Sequence, residues 1–176
     1  MYLVSVQGFA ARRLGIEEER MRSFESALIA ITGMRILIIP SPYRTDVLYD
    51  GDQDYSAEII RLWILYANCD DSPGLRRHFF TSNTKKDTLE AFFVRLVYLS
   101  SNRYWFNRYV KVLRQKLSES PENPMCIELN KCQRFIDNEG IQQLFNFRPR
   151  DKQTPIVSPG LSSDISRSCL RSFVKN

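Results

Sequence analysis

The clearest hydrophobic pattern in the chain runs from Thr84 to Leu117. Apolar residues recur there at three- and four-residue steps in two successive sets, and each set forms one stripe on a helix. Between the sets, residues 100–102 (Ser-Ser-Asn) favour side-chain-to-backbone hydrogen bonds over helix propagation. The pattern predicts two amphipathic helices folded as an antiparallel hairpin, with Thr84 as the N-cap of the first. The stripe residues are Leu89, Phe92, Phe93, Leu96 and Val97, then Phe106, Tyr109, Val110, Leu113 and Leu117.

Upstream of the hairpin the pattern is less regular. Residues 2–6 alternate and fit either a short strand or the start of a helix. Residues 16–31 have an acidic first turn and helical apolar spacing, so they predict a helix that stops at Gly33. Residues 34–39 are a short apolar run that fits a buried strand or a buried helix equally well. The prolines at 40 and 42 and the acidic segment 46–54 are expected to form a loop, and residues 55–67 a largely buried helix.

Downstream of the hairpin, Pro121 and Pro124 predict the start of another helix, because proline is tolerated in a first turn. That helix should break at residues 138–140, and residues 141–147 should form a short final element. Beyond Arg148 the chain has few large apolar groups, so we expect a disordered tail that folds at most transiently on a partner. The predicted organisation is a single helical domain over 1–147 and a flexible basic tail over 148–176.

Glycine follows three of the predicted helices, each time before an apolar residue. The segments begin at Gly33, Gly74 and Gly140, of which the first two lie 41 residues apart and the third breaks that period. The best copy, FIDNEGIQQLF over residues 135–145, resembles the armadillo junction, in which the last helix of one repeat turns at a glycine into the next. The resemblance to armadillo and HEAT repeats implies a short helical stack. So short a stack would be stabilised by self-association or by docking onto a larger partner.

These patterns predict a mainly α fold. Two helical architectures fit them, an irregular multi-helix domain and a short armadillo-like helical stack. The remaining alternative is an α/β start, with one or two short N-terminal strands near Leu3 and Leu37. We expect the disordered tail in either case.

Bulk composition limits the classes of function. With 43% hydrophobic and 26% charged residues, the chain fits a soluble globular protein. No apolar run approaches the roughly 20 residues needed to cross a bilayer, and the N-terminus lacks the order of a secretory signal, so we expect an intracellular protein, cytoplasmic or nuclear. The sequence has none of the motifs for nucleophilic, nucleotide or metalloprotease chemistry, which favours a non-enzymatic protein without a cofactor.

Few residues suggest metal or acid–base chemistry. Asp50, Asp52 and Asp54 alternate like the opening of a calcium loop, but Tyr55 stands where that loop requires glycine. The four cysteines include no C-x-x-C pair and fit buried or incidental thiols. His78 lies among arginines and phenylalanines with no motif that would supply a nucleophile. We therefore expect no metal site and no catalytic residue.

Basic residues gather in two places. The formal charge is +5, and residues 148–176 contribute six Lys or Arg against two Asp or Glu. Residues 101–117 carry five positive charges and no negative one, and several of these fall on one face of the second hairpin helix. Such a face can bind phosphates, with Tyr104 or Trp105 available to stack on bases; it can equally be the solvated side of a core helix. The candidate nucleic-acid-binding residues are Arg103, Arg108, Lys111 and Arg114, with Arg76 and Arg77 as an extension if the fold brings them near.

Two functions follow as hypotheses. The first is a non-enzymatic protein–protein interaction module, a helical adaptor or assembly subunit whose tail makes a second contact. The alternative is an RNA- or DNA-binding protein, such as one of viral origin, in which the basic helix and tail contact phosphates.

Overall fold

In the part of the chain that the structure describes, residues 1–33 and 35–132, four strands pair into one antiparallel sheet with helices on both faces. The structure is a computed structural model. The strands are β1 (Tyr2–Gln7), β2 (Ile36–Ile39), β3 (Arg44–Tyr49) and β4 (Phe79–Ser82). The helices are α1 (Phe9–Arg13), α2 (Glu18–Thr32), α3 (Ser56–Tyr66), α4 (Pro73–Arg76), α5 (Lys85–Ser100), α6 (Arg103–Glu119) and α7 (Pro124–Lys131).

The strand order across the sheet is β2-β3-β1-β4, so β1 and β3 are central. β1 pairs with β3 along its whole length, and on its other side Leu3 to Val6 lie opposite Ser82 to Phe79 of β4. Successive side chains of a strand point to opposite faces of the sheet. Because helices cover both faces, most strand side chains on both faces are apolar, which accounts for unbroken runs such as residues 36–39.

Helices α1 to α4 cover one face of the sheet. Their apolar side chains pack with alternate residues of the strands, and Trp63 of α3 is the largest fully buried side chain among them. The Trp63 indole donates a hydrogen bond to the carbonyl oxygen of Leu14 at 2.9 Å, so its polar atom is satisfied. This first cluster contains Val4, Val6, Ala11, Leu14, Phe24, Leu28, Ile36, Ile38, Val47, Tyr49, Ile59, Trp63, Ile64 and Leu75.

Helices α5, α6 and α7 cover the other face. The apolar stripes predicted for the hairpin are turned towards the sheet, except that in α5 Leu99 rather than the predicted Val97 packs in the core. This second cluster contains Leu3, Leu37, Ile39, Leu48, Phe92, Phe93, Leu96, Leu99, Phe106, Tyr109, Val110, Leu113, Leu117, Met125, Cys126 and Leu129.

Several predicted helix boundaries are confirmed. The Thr84 hydroxyl accepts the Asp87 amide at 3.1 Å at the start of α5, and the Asn102 side chain accepts the Trp105 amide at 3.3 Å at the start of α6. Gly33 follows the last residue of α2 with a φ of 63°, a left-handed conformation that glycine adopts without strain. α7 begins at Pro124, as the sequence predicts.

The expectation of a mainly α fold is corrected to mixed α/β. Helices make up 58% of the described residues, and the rest includes the four-stranded sheet. Residues 2–6 and 34–39 contain strands β1 and β2, so the strand alternative holds at both places. The prediction of a loop over residues 46–54 is wrong for residues 46–49, because β3 extends to Tyr49 and all its residues are buried. β4 was not predicted at all.

The glycine junctions do not share one structure. After Gly33 the chain enters β2 rather than a second helix, and Gly74 lies inside the short helix α4. The third junction at Gly140 and the armadillo-like segment 135–145 lie outside the described residues. The helix break at 138–140, the element at 141–147 and the tail from 148 to 176 lie outside them as well.

A buried ion pair lies on the sheet face that α5 and α6 cover. Arg44 Nε donates to Asp46 Oδ2 at 2.7 Å, and both side chains are fully buried. Arg44 Nη2 also donates to the carbonyl oxygen of Phe92 in α5 at 3.1 Å, and the Tyr109 hydroxyl of α6 donates to the same Asp46 oxygen. Burial raises the pKa of Tyr109 well above its ordinary value, so this hydroxyl keeps its proton and remains a donor. The pair therefore joins β3 to both covering helices.

We expect Phe93→Ala to lower the free energy of unfolding by about 3 to 5 kcal/mol, because it opens a cavity in the second cluster, where Phe93 is only 3% exposed. Urea titration followed by circular dichroism measures the change. Leu65→Ala, which removes an exposed apolar side chain from α3, is the control and should change stability by about 0.5 kcal/mol or less. A Phe93→Ala loss below about 1 kcal/mol would contradict the packing of the hairpin on the sheet.

Asp46→Ala should cost about 3 to 5 kcal/mol, because it leaves the Arg44 guanidinium buried without a counter-charge. The double variant Arg44→Met with Asp46→Leu removes both charges and should cost clearly less than the single one. Urea denaturation of both variants, fitted with one shared m-value, gives the two free energies of unfolding to be compared. If the double variant is as unstable as Asp46→Ala, the uncompensated charge is not the cause of the loss.

Candidate functional site

The predicted basic helix presents its charges to solvent. The side chains of Arg103, Arg108, Lys111 and Arg114 are exposed on α6, whereas the apolar positions between them are buried against the sheet. The first turn of α6 contains no acidic residue, and the only acidic residue of this helix is its last one, Glu119. The separation of the two faces follows from the helical period, since Tyr109 and its apolar neighbours fix which side of α6 meets the sheet.

Arg76 and Arg77 do not join this basic face. They lie at the end of α4, whose Leu75 packs in the first cluster, on the opposite side of the sheet from α6. α4 leads into β4 at one edge of the sheet, whereas α6 packs against β2 at the other. Arg76 already binds Asp71, with its Nε at 2.6 Å from Asp71 Oδ1, and this hydrogen bond lowers the pKa of the Asp71 carboxyl.

The start of α6 meets two other segments in a group of aromatic and arginine side chains. The Trp105 ring stacks on Tyr43, with ring centroids 5.5 Å apart and planes within 12°, and it contacts Tyr104 edge-on at 4.8 Å. The Arg12 guanidinium lies 4.9 Å from the Trp105 centroid and 5.9 Å from that of Phe9, within range for cation–π attraction. Together with Arg108, which donates to the Tyr104 hydroxyl, these residues form what we call the aromatic–arginine cluster: Phe9, Arg12, Tyr43, Tyr104, Trp105 and Arg108.

Local backbone structure brings the three segments together. β1 ends at Gln7, and Gly8 turns the chain with a φ of 78°, so that α1 follows immediately and carries Phe9 and Arg12. The Gly8 amide donates to the Tyr43 carbonyl oxygen at 2.8 Å, which fastens this turn to the loop between β2 and β3. A side chain at position 8 would be strained at this positive φ, so glycine is required there.

The cluster combines exposed rings with positive charge. Phe9 is 82% exposed and Tyr104 58% exposed, whereas every other phenylalanine of the described residues is at least partly buried. The three segments that build the cluster, residues 8–16, 39–45 and 101–118, contain no Asp or Glu. Arg12, Arg13, Arg103 and Lys111 are exposed on the same segments. The surface therefore offers flat apolar faces in a local field that attracts anions.

A concavity of about 400 Å³ opens beside the cluster. Arg12 belongs to the cluster and also lines this concavity. The other walls are largely apolar and come from α1, α2, Trp63 and the Pro40–Pro42 loop. This volume is within the range of pockets that hold small planar ligands.

The remaining sequence candidates have structural roles or none. Asp54 accepts hydrogen bonds from the Ser56 amide at 2.8 Å and the Tyr49 hydroxyl at 2.9 Å, so it stabilises the start of α3. His78 is exposed. In the described residues no group of three or more His, Cys, Asp or Glu could hold a metal ion, and no helix is long and apolar enough to cross a bilayer.

Sequence reasoning identified Tyr104 and Trp105 but missed Phe9, Arg12 and Tyr43. These three are far from α6 in sequence, and each has a common local explanation, as a helix start or a turn residue. The one signal available in the sequence was the position of Phe9, directly after a glycine and three residues before Arg12. On a helix this spacing places Phe9 and Arg12 on one face.

Comparison of the sequence with protein-family models gives no match, and comparison with curated protein sequences gives none either.

Proposed function

We propose that this chain is a non-enzymatic protein that binds single-stranded RNA or DNA through the aromatic–arginine cluster and the adjoining basic face of α6. The observation that carries the proposal is the exposure of Phe9 and Tyr104 on a surface whose segments have arginines and no acidic residue. Unpaired bases stack on such rings irrespective of their sequence, and the arginines and lysines contact the backbone phosphates.

The arrangement favours single strands over duplexes. A base can stack on Tyr104 or Phe9 only if its own face is free, which it is not inside a double helix. Tyr43 and Arg12 already contact the Trp105 ring, so we assign Trp105 to holding the cluster together and the two exposed rings to the ligand. The concavity beside Arg12 could receive one unstacked base at the end of this path.

The absence of catalytic motifs from the sequence supports a binding role. The buried ion pair of Arg44 and Asp46 has no exposed side-chain surface and is hydrogen-bonded to α5 and α6. A substrate therefore cannot reach it. The titratable groups of the cluster itself are arginines and tyrosines, which serve in binding anions and in stacking.

Tyr104→Ala should weaken binding of a fluorescein-labelled single-stranded 15-mer by roughly 5- to 100-fold, since one base–ring stack contributes about 1 to 3 kcal/mol. Tyr98→Ala is the matched control, because Tyr98 is 56% exposed on α5 and is not a member of the cluster. Fluorescence anisotropy measures both variants against RNA, DNA and the corresponding duplexes. Equal affinities of the two variants, or tighter binding to the duplexes than to single strands, would contradict the proposal.

Replacing Arg103 and Lys111 together by glutamate should abolish detectable binding at moderate salt and reduce the salt dependence of any binding that remains. The control with the same change in charge is Arg22→Glu with Lys86→Glu, two exposed positions on α2 and α5. Both variants are titrated at two salt concentrations, with and without residues 148–176. Binding that depends on residues 148–176 and ignores Arg103 and Lys111 would assign the interaction to the tail instead.

A further inference from the structure

The edge of the sheet at β4 is open on one side. β4 pairs with β1 alone among the described strands, so the backbone N–H and C=O groups on its outer side have no strand partner there. Open edges of this kind accept an additional strand readily, and most proteins cover or charge them. Here a groove of about 1,020 Å³ runs along the edge, between β4 and α5.

One face of α5 forms the wall of this groove. The lining residues of α5 recur at three- and four-residue steps, which places them in a single stripe along the helix. They are Asp87, Glu90, Ala91, Val94, Arg95 and Tyr98, in that order from the N-terminal end. The stripe is thus acidic at its start, apolar in its middle, and basic and aromatic at its end.

Arg95 is a cation without a carboxylate partner among the described residues. Its Nε donates to the Ser5 hydroxyl at 3.2 Å, and its guanidinium lies 4.8 Å from the Phe80 ring centroid. Burial, together with the nearby positive charge of Arg44, lowers the pKa of Arg95. The buried Asp46 carboxylate attracts Arg95 from inside the protein, but no carboxylate forms an ion pair with it within the described residues. An acidic group brought into the groove would therefore be the direct partner of this guanidinium. Glu90, about 7.5 Å away along the helix axis, likewise forms no ion pair within the described part of the chain.

α5 runs in the direction opposite to β4. Thr88, early in α5, contacts Ser82 at the end of β4, whereas Arg95, later in α5, lies over Phe80. A strand added antiparallel to β4 would therefore run in the same direction as α5. Its alternate side chains would face the stripe at intervals of about 6.6 Å, so four residues span about 13 Å, close to the 12 Å between Asp87 and Arg95 on the helix.

We propose that this groove binds an extended peptide from a partner protein by strand addition, antiparallel to β4. The peptide carries a basic residue opposite Asp87 and Glu90, an apolar residue two positions later opposite Ala91 and Val94, and an acidic residue two positions later again opposite Arg95. Backbone hydrogen bonds to β4 supply affinity, and the two charges set register and direction. This partner is independent of the nucleic acid proposed above, because the groove and the aromatic–arginine cluster share no residue.

The charge pattern disfavours two other occupants. A second copy of β4 would present either Phe79 and Thr81 or Phe80 and Ser82 to the stripe, and neither pair supplies an acid for Arg95. Residues 133–176 of the chain contain no segment with a basic residue, an apolar residue two positions later and an acidic residue four positions later. A separate protein that has this pattern is the occupant that complements both ends of the groove.

The test is binding of a capped, fluorescently labelled peptide, Thr-Lys-Thr-Val-Thr-Glu-Thr, to the full chain. The control peptide has the same composition with the two charges exchanged, Thr-Glu-Thr-Val-Thr-Lys-Thr. We expect the first peptide to bind at least about tenfold more tightly than the second, since exchange places like charges together at both ends. Hydrogen exchange should show residues 79–82 protected on binding, which distinguishes strand addition from attraction to the surface alone. Equal binding of the two peptides, or no new protection in β4, would overturn the proposal.

Glu90→Lys reverses the charge at a partly exposed position, and a second peptide, Thr-Glu-Thr-Val-Thr-Glu-Thr, matches it. Because Asp87 remains, the variant should bind the first peptide more weakly and the matching one more tightly than the original chain does, whereas Glu25→Lys on α2, the control, should behave as the original chain. No change with Glu90→Lys would overturn the proposed register. Sedimentation that shows a dimer which the first peptide cannot dissociate would assign the edge to a second copy.

Two variants separate this proposal from the nucleic-acid proposal. Tyr98→Ala should weaken binding of the peptide and leave binding of single-stranded nucleic acid unchanged, and Tyr104→Ala should do the reverse. The two proposals can therefore fail separately.

Discussion

The interaction on which the two covering helices depend is the ion pair between Arg44 and Asp46. Two residues apart on β3, these side chains lie on the same face of the sheet, in a layer that is largely apolar. Charges at such a depth are tolerated only when each finds partners, and here α5 contributes the Phe92 carbonyl and α6 the Tyr109 hydroxyl. The apolar stripe of α6 selects the side that meets the sheet, and the hydrogen bond from the Tyr109 hydroxyl to Asp46 reinforces that orientation. In this orientation Arg103 and Lys111 face outward.

The two proposed binding surfaces lie at different parts of this framework. The aromatic–arginine cluster gathers where β1 ends and β3 begins, beside the start of α6, and depends on the Gly8 turn. The groove lies along the outer edge of β4 and uses α5. Since each surface uses a different helix of the same hairpin, a single chain could hold a nucleic acid and a protein strand at the same time. This arrangement unites the adaptor and nucleic-acid hypotheses, which the sequence presented as alternatives.

How far the sequence predicted the fold depended on whether each element is amphipathic. α5 and α6 have one buried and one exposed face, so their period, the cap at Thr84 and the turn at residues 100–102 were readable. β2 and β3 are buried on both faces, and a strand of this kind has no alternation to detect. β3 was further disguised by Arg44 and Asp46, whose charges are typical of a loop and which are buried only because they pair with each other. The basic face of α6 could be predicted because it is local, whereas the cluster joins Phe9, Tyr43 and Trp105 through contacts that no local pattern records.

The central position of β1 has a consequence for how the chain folds as it is synthesised. Of the four strands, β1 is synthesised first, but it pairs with β3 and β4 at residues 44–49 and 79–82. Its hydrogen bonds to them can form only after those residues have been synthesised. When β4 emerges the sheet can close over α1 to α4, but the face that holds Arg44 and Asp46 stays bare until α5 and α6 follow. A nascent chain at that stage exposes an apolar surface with a charged pair at its centre and an open strand edge, the features that promote association between incomplete chains. Synthesis of the hairpin is therefore the step that covers the apolar surface, whereas the edge of β4 stays open in the folded chain.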